Sequence, residues 1–482
     1  MGSVRKSIGY STLNGWTGVV FQLVSTVVVA RILTPEQTGV FAVAAVFASL
    51  ASTFRDFGVG EYLIQERELT DDAIRAATTV NIAVSWAMGV LLFLLAPWIA
   101  QFYRNPGVGE VMRVMAFSFL LIPFGAVTMA WFRRELDFRP LVLANLASST
   151  VSLVVVLVMA LQGHGYMSLA WSSLAGVAVT VLVSMWCRPA SFPRWPGLRG
   201  VRKVVDFGKF ASGIYIFGQL GRGAPEMIIG RVQDMASVGM FSRANGMVEI
   251  FHRLVMRSIM PVCLPYFAQG MREHGSPRKG LLRTMSLLSA VGWPFLLFVG
   301  LAAYPAIRLM YGIQWVDAVP LSRILVTVAA VELVYYPAKE AMLAQGKARE
   351  SNTLQLIMQT LRVAGLFGAI PWGLPGAAWG LLVAVTLGAV LSHLYLARHI
   401  GLSVGDVVRA LRPSLGVALV STAPMSAWLL LMPVNESNFV RVGVLGGLAC
   451  ALAWVLAVRV CRHPIGEELQ RVQQLVLRRR NA

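Results

Sequence analysis

The chain has 482 residues, of which 56% are hydrophobic and 13% are charged, whereas a soluble domain is usually about one quarter charged. Apolar runs of roughly twenty residues recur, each long enough as a helix to cross a hydrocarbon core of about 30 Å. These features exclude a soluble fold, because one core could not bury so much apolar surface. A transmembrane barrel is disfavoured too, since its strands would alternate in polarity, and runs such as SLVVVLVMALQ are apolar on all sides.

We predict an all-α polytopic membrane protein of about fourteen transmembrane helices. The spans lie near 8–32, 38–54, 76–98, 111–131, 141–161, 166–187, 207–231, 236–258, 281–305, 318–343, 352–371, 375–397, 411–432 and 439–460. With both termini in the cytoplasm, most of the 42 lysines and arginines fall on the cytoplasmic side, as membrane topology favours. The formal net charge of +19 is therefore a topology signal and an attraction to anionic membrane lipids, not a nucleic-acid surface.

Cysteine and histidine give no indication of a metal site. The four cysteines are scattered without paired spacing, and the six histidines are isolated. We predict no metal and no bound cofactor, although a proton or sodium gradient could drive the protein.

An internal repeat relates residues 28–42 to residues 228–242. The identical pairs at a shift of 200 residues are Arg31 with Arg231, Gly39 with Gly239 and Phe41 with Phe241. Both segments form the hairpin between two spans, and six spans separate them, so the halves share one orientation and predict two pseudo-symmetric six-helix lobes. The predicted parts are an N-terminal lobe at 1–190, a basic cytoplasmic linker at 191–206, a C-terminal lobe at 207–400, two extra spans at 401–461, and a basic amphipathic cytoplasmic tail at 462–482.

Three stretches carry a family resemblance: VVVARILTPEQTGVFAVA, FRDFGVGEYLIQERELT and WFRRELDFRPL. They resemble the polysaccharide flippases (Wzx-like O-antigen and exopolysaccharide exporters). These flippases belong to the multidrug, oligosaccharidyl-lipid and polysaccharide exporter superfamily, with the multidrug extruders and the lipid II flippase. The resemblance implies two six-helix lobes around a central cavity, alternating access, and an undecaprenyl-pyrophosphate-linked oligosaccharide as cargo. A bacterial inner-membrane location, and a polysaccharide polymerase and chain-length regulator as partners, are further expectations.

The first candidate for cargo binding is Arg222, in GQLGRGAPEMIIGR of span 7. An intramembrane charge is costly, so it usually faces a cavity or a partner. We predict that Gly221, Gly223 and Pro225 break the helix and that Arg222 attracts an anionic part of the cargo. The alternative is a local ion pair between Arg222 and Glu226, one helical turn apart.

Four more arginines are candidate substrate ligands. Arg55 matches an essential arginine of the lipid II flippase by resemblance, and guanidinium groups bind pyrophosphate well; the alternative is a topology residue paired with Asp56. Arg243 in span 8 either lines the cavity or packs against a neighbour; Gly246 occupies the place where the family has a second arginine. Arg31 and Arg231 end spans 1 and 7, where they either gate the cargo or extend to the membrane interface.

Three carboxylates could couple transport to a proton gradient if they are buried: Glu226, Glu249 and Glu332. Glu332 could instead pair with Arg362 of the next span. Pro123 and Pro337 are predicted to kink spans 4 and 10.

Other function classes are less well supported. An enzyme would need a sizeable catalytic loop, and the acidic stretch QERELTDDAIR is better explained as a helix start with Thr70 as N-cap. A multidrug cation antiporter would have twelve spans and an acidic site, whereas this chain has two extra spans and more intramembrane arginine. A lipid II flippase is the other alternative within the superfamily.

Overall fold

The computed structural model describes residues 18, 21–56, 58–193, 195–468, 470 and 474. Over this part the chain is helical without a strand, and every predicted span from 38–54 onwards contains a long helix. Nine helical segments among the described residues are long and apolar enough to cross a membrane, and a bent pair makes a tenth. The predicted all-α polytopic membrane fold is therefore confirmed.

Two compact units make up the fold, and the first comprises Met1–Ser242. Its described helices are α1 (Phe21–Ile32), α2 (Pro35–Asp56), α3 (Val59–Gln65), α4 (Asp71–Tyr103), α5 (Pro106–Leu121), α6 (Pro123–Arg134), α7 (Arg139–Leu161), α8 (Tyr166–Trp186), α9 (Val201–Val232) and the beginning of α10 (Met235–Phe251). Within this unit α7 packs along α8, α4 along α5, and α9 against α2 and α4.

The second unit comprises Arg243–Ala482. After the end of α10 it contains a π-helical turn (His252–Met256), α11 (Arg257–His274), α12 (Arg278–Leu301), α13 (Ala303–Met310), α14 (Ala318–Tyr335), α15 (Ala338–Ala344), α16 (Ala348–Ala369), α17 (Gly373–Ile400), α18 (Val404–Leu431) and α19 (Phe439–Val460). Two single 3₁₀ turns, Ile313–Trp315 and Ile370–Trp372, precede α14 and α17. The predicted tail helix falls largely on residues outside the described ones.

The compact units divide the chain at a different place from the repeat. The predicted C-terminal lobe begins at residue 207, whereas α9 packs with the first unit, which ends at Ser242. Glycines explain this packing, because a Cβ at Gly223 would collide with Val46 of α2 and one at Gly230 would lie 3.0 Å from Val43. Helix α9 follows the linker in sequence, yet its glycines fit it closely against α2.

The prediction of a broken helix around Arg222 is wrong, because α9 continues from Val201 to Val232 through Pro225. The glycines beside Arg222 provide close helix packing rather than a break. The predicted kink at Pro123 is confirmed, because α5 and α6 meet there with a bend of 56°. Pro337 interrupts the helix between α14 and α15, but Ala318–Ala344 form one candidate span, so the kink at Pro337 stays a prediction.

Candidate functional site

A cavity of about 590 Å³ lies inside the first unit, between the end of α2 and helices α3, α4, α6, α7 and α8. Three charged side chains line it: Arg55, Glu61 and Arg133. Its neutral polar lining residues are Asn81, Ser148, Ser152, Ser173 and Thr180. Its volume falls within the range of about 300–1,000 Å³ typical of small-molecule sites, while its lining is unusually polar for the interior of a membrane helix bundle.

Arg55 reaches this cavity from the last turn of α2. Gly58 adopts a left-handed conformation with φ of 67° immediately before the short helix α3. The guanidinium carbon of Arg55 lies 5.8 Å from the centroid of the Phe119 ring, a cation–π contact. The partner predicted as an alternative, Asp56, has a side chain outside the described part of the chain.

Arg134, from the motif WFRREL, fixes α3 at the edge of the cavity. Its Nη1 atom donates hydrogen bonds of 2.6 Å to the carbonyl oxygens of Leu63 and Glu66, at the end of α3. Charged donors of this kind satisfy carbonyl groups that a helix end leaves unpaired. Lys203 adds an ion pair of 2.9 Å to Glu66, and its hydrogen bond lowers the pKa of that carboxyl group.

The inner wall of the cavity depends on Gly176 of α8. A Cβ at this position would collide with the Ser152 hydroxyl and lie 3.2 Å from the Ser148 hydroxyl. Ser152 donates to the carbonyl oxygen of Ser172 at 3.0 Å, and Thr180 donates to that of Gly176 at 2.9 Å. Glycine therefore allows two serine hydroxyls of α7 to approach α8 and leaves space beside them.

Arg222 is exposed on α9 and belongs to a short hydrogen-bond chain. Its Nε and Nη2 atoms donate to the side-chain oxygen of Gln219 at 3.2 and 2.7 Å. The amide nitrogen of Gln219 in turn donates to the Ser49 hydroxyl of α2 at 2.7 Å. These bonds hold the guanidinium through Gln219 rather than through Glu226, and they leave its charge at the surface of the first unit.

Arg31 and Arg231 are both exposed, near the ends of α1 and α9. The guanidinium carbon of Arg231 lies 5.0 Å from the centroid of the Phe102 ring. The carboxylate of Asp234 accepts the backbone N–H of Ser237 at 2.7 Å and so caps α10. Arg231 and Asp234 therefore have separate contacts, one with an aromatic ring and one with a helix start.

Arg243 lies between two buried aromatic rings of the second unit. Its guanidinium carbon is 5.6 Å from the centroid of Tyr311 and 5.2 Å from that of Trp315. These rings are only 1% and 0% exposed, so the contact is inside the unit. Gly246 lies on the same side of α10, and a Cβ there would lie 3.5 Å from the Tyr311 hydroxyl. The position at which the family has its second arginine therefore lies beside Tyr311.

The three candidate carboxylates have different surroundings. Glu332 forms an ion pair of 2.5 Å with Arg362, which confirms that these single charges of neighbouring spans meet. Glu249 lies 3.9 Å from Arg253 and its side chain is 47% exposed, so it is not the buried carboxylate that was predicted. Glu226 has a buried Oε2 atom on α9.

Sequence reasoning missed the neutral polar residues of the cavity and also Glu340. Single serines and asparagines within spans have no distinctive pattern, and only the packing of α4, α7 and α8 brings them together. Glu340 lies on α15, just after Pro337, and its Oε2 atom is buried without a hydrogen-bond partner among the described residues. A carboxylate one turn after a helix-breaking proline was the signal that could have indicated it.

Long apolar helices around a polar, guanidinium-lined cavity define a polytopic membrane protein of the transporter class. The chain matches the family described as "Polysaccharide biosynthesis protein" over residues 28–320, more than half of its length. The protein therefore belongs to the polysaccharide biosynthesis protein family.

Two curated relatives and one solved structure illustrate the relationship. The lipopolysaccharide biosynthesis protein WzxC of Escherichia coli (strain K12) is 21% identical over 93% of this chain and 92% of its own length. The teichuronic acid biosynthesis protein TuaB of Bacillus subtilis (strain 168) is 24% identical over 72% of this chain and 73% of its own. The structure of the lipid II flippase MurJ in an inward closed conformation covers 94% of this chain and 98% of that chain, with a TM-score of 0.75 and 13% identity. This likeness shows a shared fold.

Proposed function

We propose that this protein is a flippase that moves undecaprenyl-pyrophosphate-linked oligosaccharide repeat units from the inner to the outer leaflet of the bacterial cytoplasmic membrane. It works by alternating access and is a transporter rather than an enzyme. The observation that carries the proposal is membership of the polysaccharide biosynthesis family, together with relatives named for lipopolysaccharide and teichuronic acid biosynthesis. The cargo supplies an O-antigen, capsule or exopolysaccharide.

Arg55 and Arg133 are the proposed ligands of the pyrophosphate on the cytoplasmic side. Both line one cavity, and planar guanidinium groups form paired hydrogen bonds with phosphate oxygens. Arg222, held by Gln219, provides a further exposed positive charge, and Arg31 and Arg231 provide two more near helix ends.

Arg243 contributes by positioning α10, because its charge is directed at aromatic rings of its own unit. For ion coupling, Glu226 and Glu340 are better candidates than Glu332, whose carboxylate neutralises Arg362.

A polymerase and a chain-length regulator receive the cargo on the outer side, and both termini lie in the cytoplasm.

A deletion strain tests the function directly. Loss of the protein should leave lipid-linked repeat units on the inner leaflet and stop surface polymer, and a plasmid copy should restore both. Arg222→Ala is the site-directed arm, with Arg199→Ala as the matched control on a non-helical segment of the first unit. Normal surface polymer in the deletion strain would refute the flippase proposal, while normal polymer with Arg222→Ala would remove only Arg222 from the site.

A lipid II flippase is the second candidate, favoured by the structural likeness to MurJ. Expression of this chain in cells depleted of their own lipid II flippase separates the two. Rescue of growth would favour lipid II as cargo. Lysis of those cells, together with restored polymer in the deletion strain, would favour the oligosaccharide. A multidrug antiporter predicts neither result and would instead change drug tolerance.

A further inference from the structure

The polar lining of the first-unit cavity extends far into the helix bundle. Ser152 is thirteen residues from the start of α7, which places it about 20 Å along that helix at 1.5 Å per residue. Asn81 is ten residues into α4, about 15 Å from its beginning. The charged groups, in contrast, lie near the helix ends: Arg55 is in the last turn of α2, and Arg133 is in the last turn of α6.

The hydroxyl groups along this wall are available to a ligand. Among the described residues, no hydrogen bond engages the side chains of Ser148 and Ser173, although both line the cavity. Polar groups inside a membrane bundle are costly when nothing binds them, so a cavity that collects several of them is expected to hold a polar occupant. Gly176 preserves the space for that occupant, because a methyl group there would collide with Ser152.

We propose that this cavity binds the sugar ring attached to the pyrophosphate of the cargo, with the pyrophosphate at Arg55 and Arg133. The proposal rests on the flippase function and adds where the first sugar is recognised. Serine, threonine and asparagine side chains both donate and accept hydrogen bonds, which matches the hydroxyl groups of a sugar. In this cavity the charged side chains lie near the helix ends and the neutral polar side chains lie deeper in the bundle. This arrangement matches a charged pyrophosphate joined to an uncharged sugar ring.

Other occupants fit the lining less well. An apolar drug would be surrounded mainly by hydrophobic and aromatic side chains, and no aromatic residue lines this cavity in the described part of the chain. A bare cation such as Ca²⁺ would need several oxygen ligands including carboxylates, and Glu61 is the single carboxylate in the described lining.

Cysteine protection tests this placement whatever the chemical identity of the sugar. The native cysteines (Cys187, Cys263, Cys450 and Cys461) are replaced, and Ser148→Cys and Ser173→Cys are introduced one at a time. Inside-out inner-membrane vesicles are treated with a charged methanethiosulfonate reagent. One set comes from cells that make the lipid-linked oligosaccharide, and the other from cells unable to attach the first sugar. Undecaprenyl pyrophosphate added to the second set is the sugar-free probe.

Both cysteines should react with the reagent in cargo-free vesicles. Cargo should slow this reaction by about fivefold, which corresponds to cargo occupying roughly four-fifths of the sites. Undecaprenyl pyrophosphate alone should slow them much less. Ser191→Cys, on an exposed turn outside the cavity lining, should react at the same rate in all vesicles. Equal slowing at Ser191→Cys would indicate a conformational change and would overturn the proposal. So would cysteines that never react, or reaction rates unaffected by cargo.

Hydroxyl deletion provides a second measurement that does not depend on labelling. The double substitution Ser148→Ala and Ser173→Ala removes two oxygen atoms and adds no bulk. It should reduce polymer export severalfold at normal protein abundance, and Gly368→Ala, beside open space on α16, should leave export unchanged. Full export by the double variant would overturn the sugar site while the flippase function stands. If wild-type protein fails to restore export in the deletion strain, the function itself fails.

Discussion

Gly39 of α2 and Gly239 of α10 pack against each other across two equivalent hairpins. A Cβ on Gly39 would collide with the carbonyl oxygen of Met235 and lie 3.0 Å from the amide nitrogen of Gly239. A Cβ on Gly239 would collide with the carbonyl oxygen of Pro35. Since Pro35 and Met235 are the first residues of α2 and α10, each glycine receives the start of the other helix. This reciprocity is what a local two-fold relationship between the repeated segments requires.

Substitution of either glycine by alanine should therefore destabilise the protein. Both methyl groups would meet backbone atoms, which cannot rotate away, and overpacking of this kind typically costs about 1–3 kcal/mol. Thermal unfolding of the purified protein in detergent should show a lower Tm for Gly39→Ala and for Gly239→Ala. Gly368→Ala is the control, because nothing lies within 4 Å of its added Cβ and alanine favours a helix. An unchanged Tm for both variants would contradict the close contact.

The repeat is a case in which sequence reasoning succeeded, because identity at a fixed shift coincides with a shared steric requirement. The N-caps of the hairpins follow the same rule: Thr34 accepts the N–H of Gln37 at 3.2 Å before α2, as Asp234 does for Ser237 before α10. Thr70 also caps α4 as predicted, accepting the N–H of Ala73 at 3.2 Å. Local chemistry of this kind is readable from a few adjacent residues.

Tertiary packing accounts for what the sequence did not predict. Gly223 and Pro225 weaken an isolated helix, yet α9 remains continuous because α2 supports it through the contact at Val46. The polar cavity is equally hidden, since Asn81, Ser148 and Thr180 come from three helices that are far apart in sequence. Helix propensity describes one segment, and both features depend on its neighbours.

The position of Arg243 between two rings predicts that replacing it lowers the stability of the protein. A lysine, which keeps only the charge, should not restore that stability. Each cation–π contact with Tyr311 or Trp315 is worth up to about 2 kcal/mol when it is shielded from water. Arg243→Lys keeps the charge and loses the planar guanidinium, so its Tm should fall nearly as much as that of Arg243→Met. Arg253→Lys, whose partner Glu249 is half exposed, is the control and should have little effect. Full rescue by lysine would indicate that charge, not ring stacking, is the important property.

The pair of Glu332 and Arg362 predicts a coupling that a double-mutant cycle can measure. The side chains are 25% and 21% exposed, so breaking the pair should cost about 1–3 kcal/mol, less than for a fully buried pair. Glu332→Gln and Arg362→Gln should each lower the free energy of unfolding, and the double variant should recover part of the loss. Export should follow stability. A stable double variant without export would instead assign Glu332 to ion coupling.

His463 connects the end of α19 to α12 and α18 and predicts a pH dependence of stability. The His463 ring is only 3% exposed. Its Nε2 atom lies 3.1 Å from the Ser286 hydroxyl and 3.0 Å from the Ser414 hydroxyl. Its Nδ1 atom accepts a hydrogen bond from the backbone N–H of Ile465 at 3.1 Å. Because Nδ1 is an acceptor, the ring is neutral, and burial lowers its pKa below the ordinary value of about 6.5.

Below pH of about 6.5 the unfolded chain therefore binds a proton that the folded protein still excludes, so stability falls as pH decreases through this range. The loss ends once pH drops below the folded-state pKa. Thermal unfolding between pH 8 and pH 5 should show a decline in Tm that His463→Gln reduces, although this variant starts from a lower Tm because it loses ring hydrogen bonds. The nearby pair of Arg283 and Glu468 provides the control, since Glu468→Gln should lower Tm without removing the decline near pH 6. Parallel profiles for the wild type and His463→Gln would show that His463 does not titrate with unfolding.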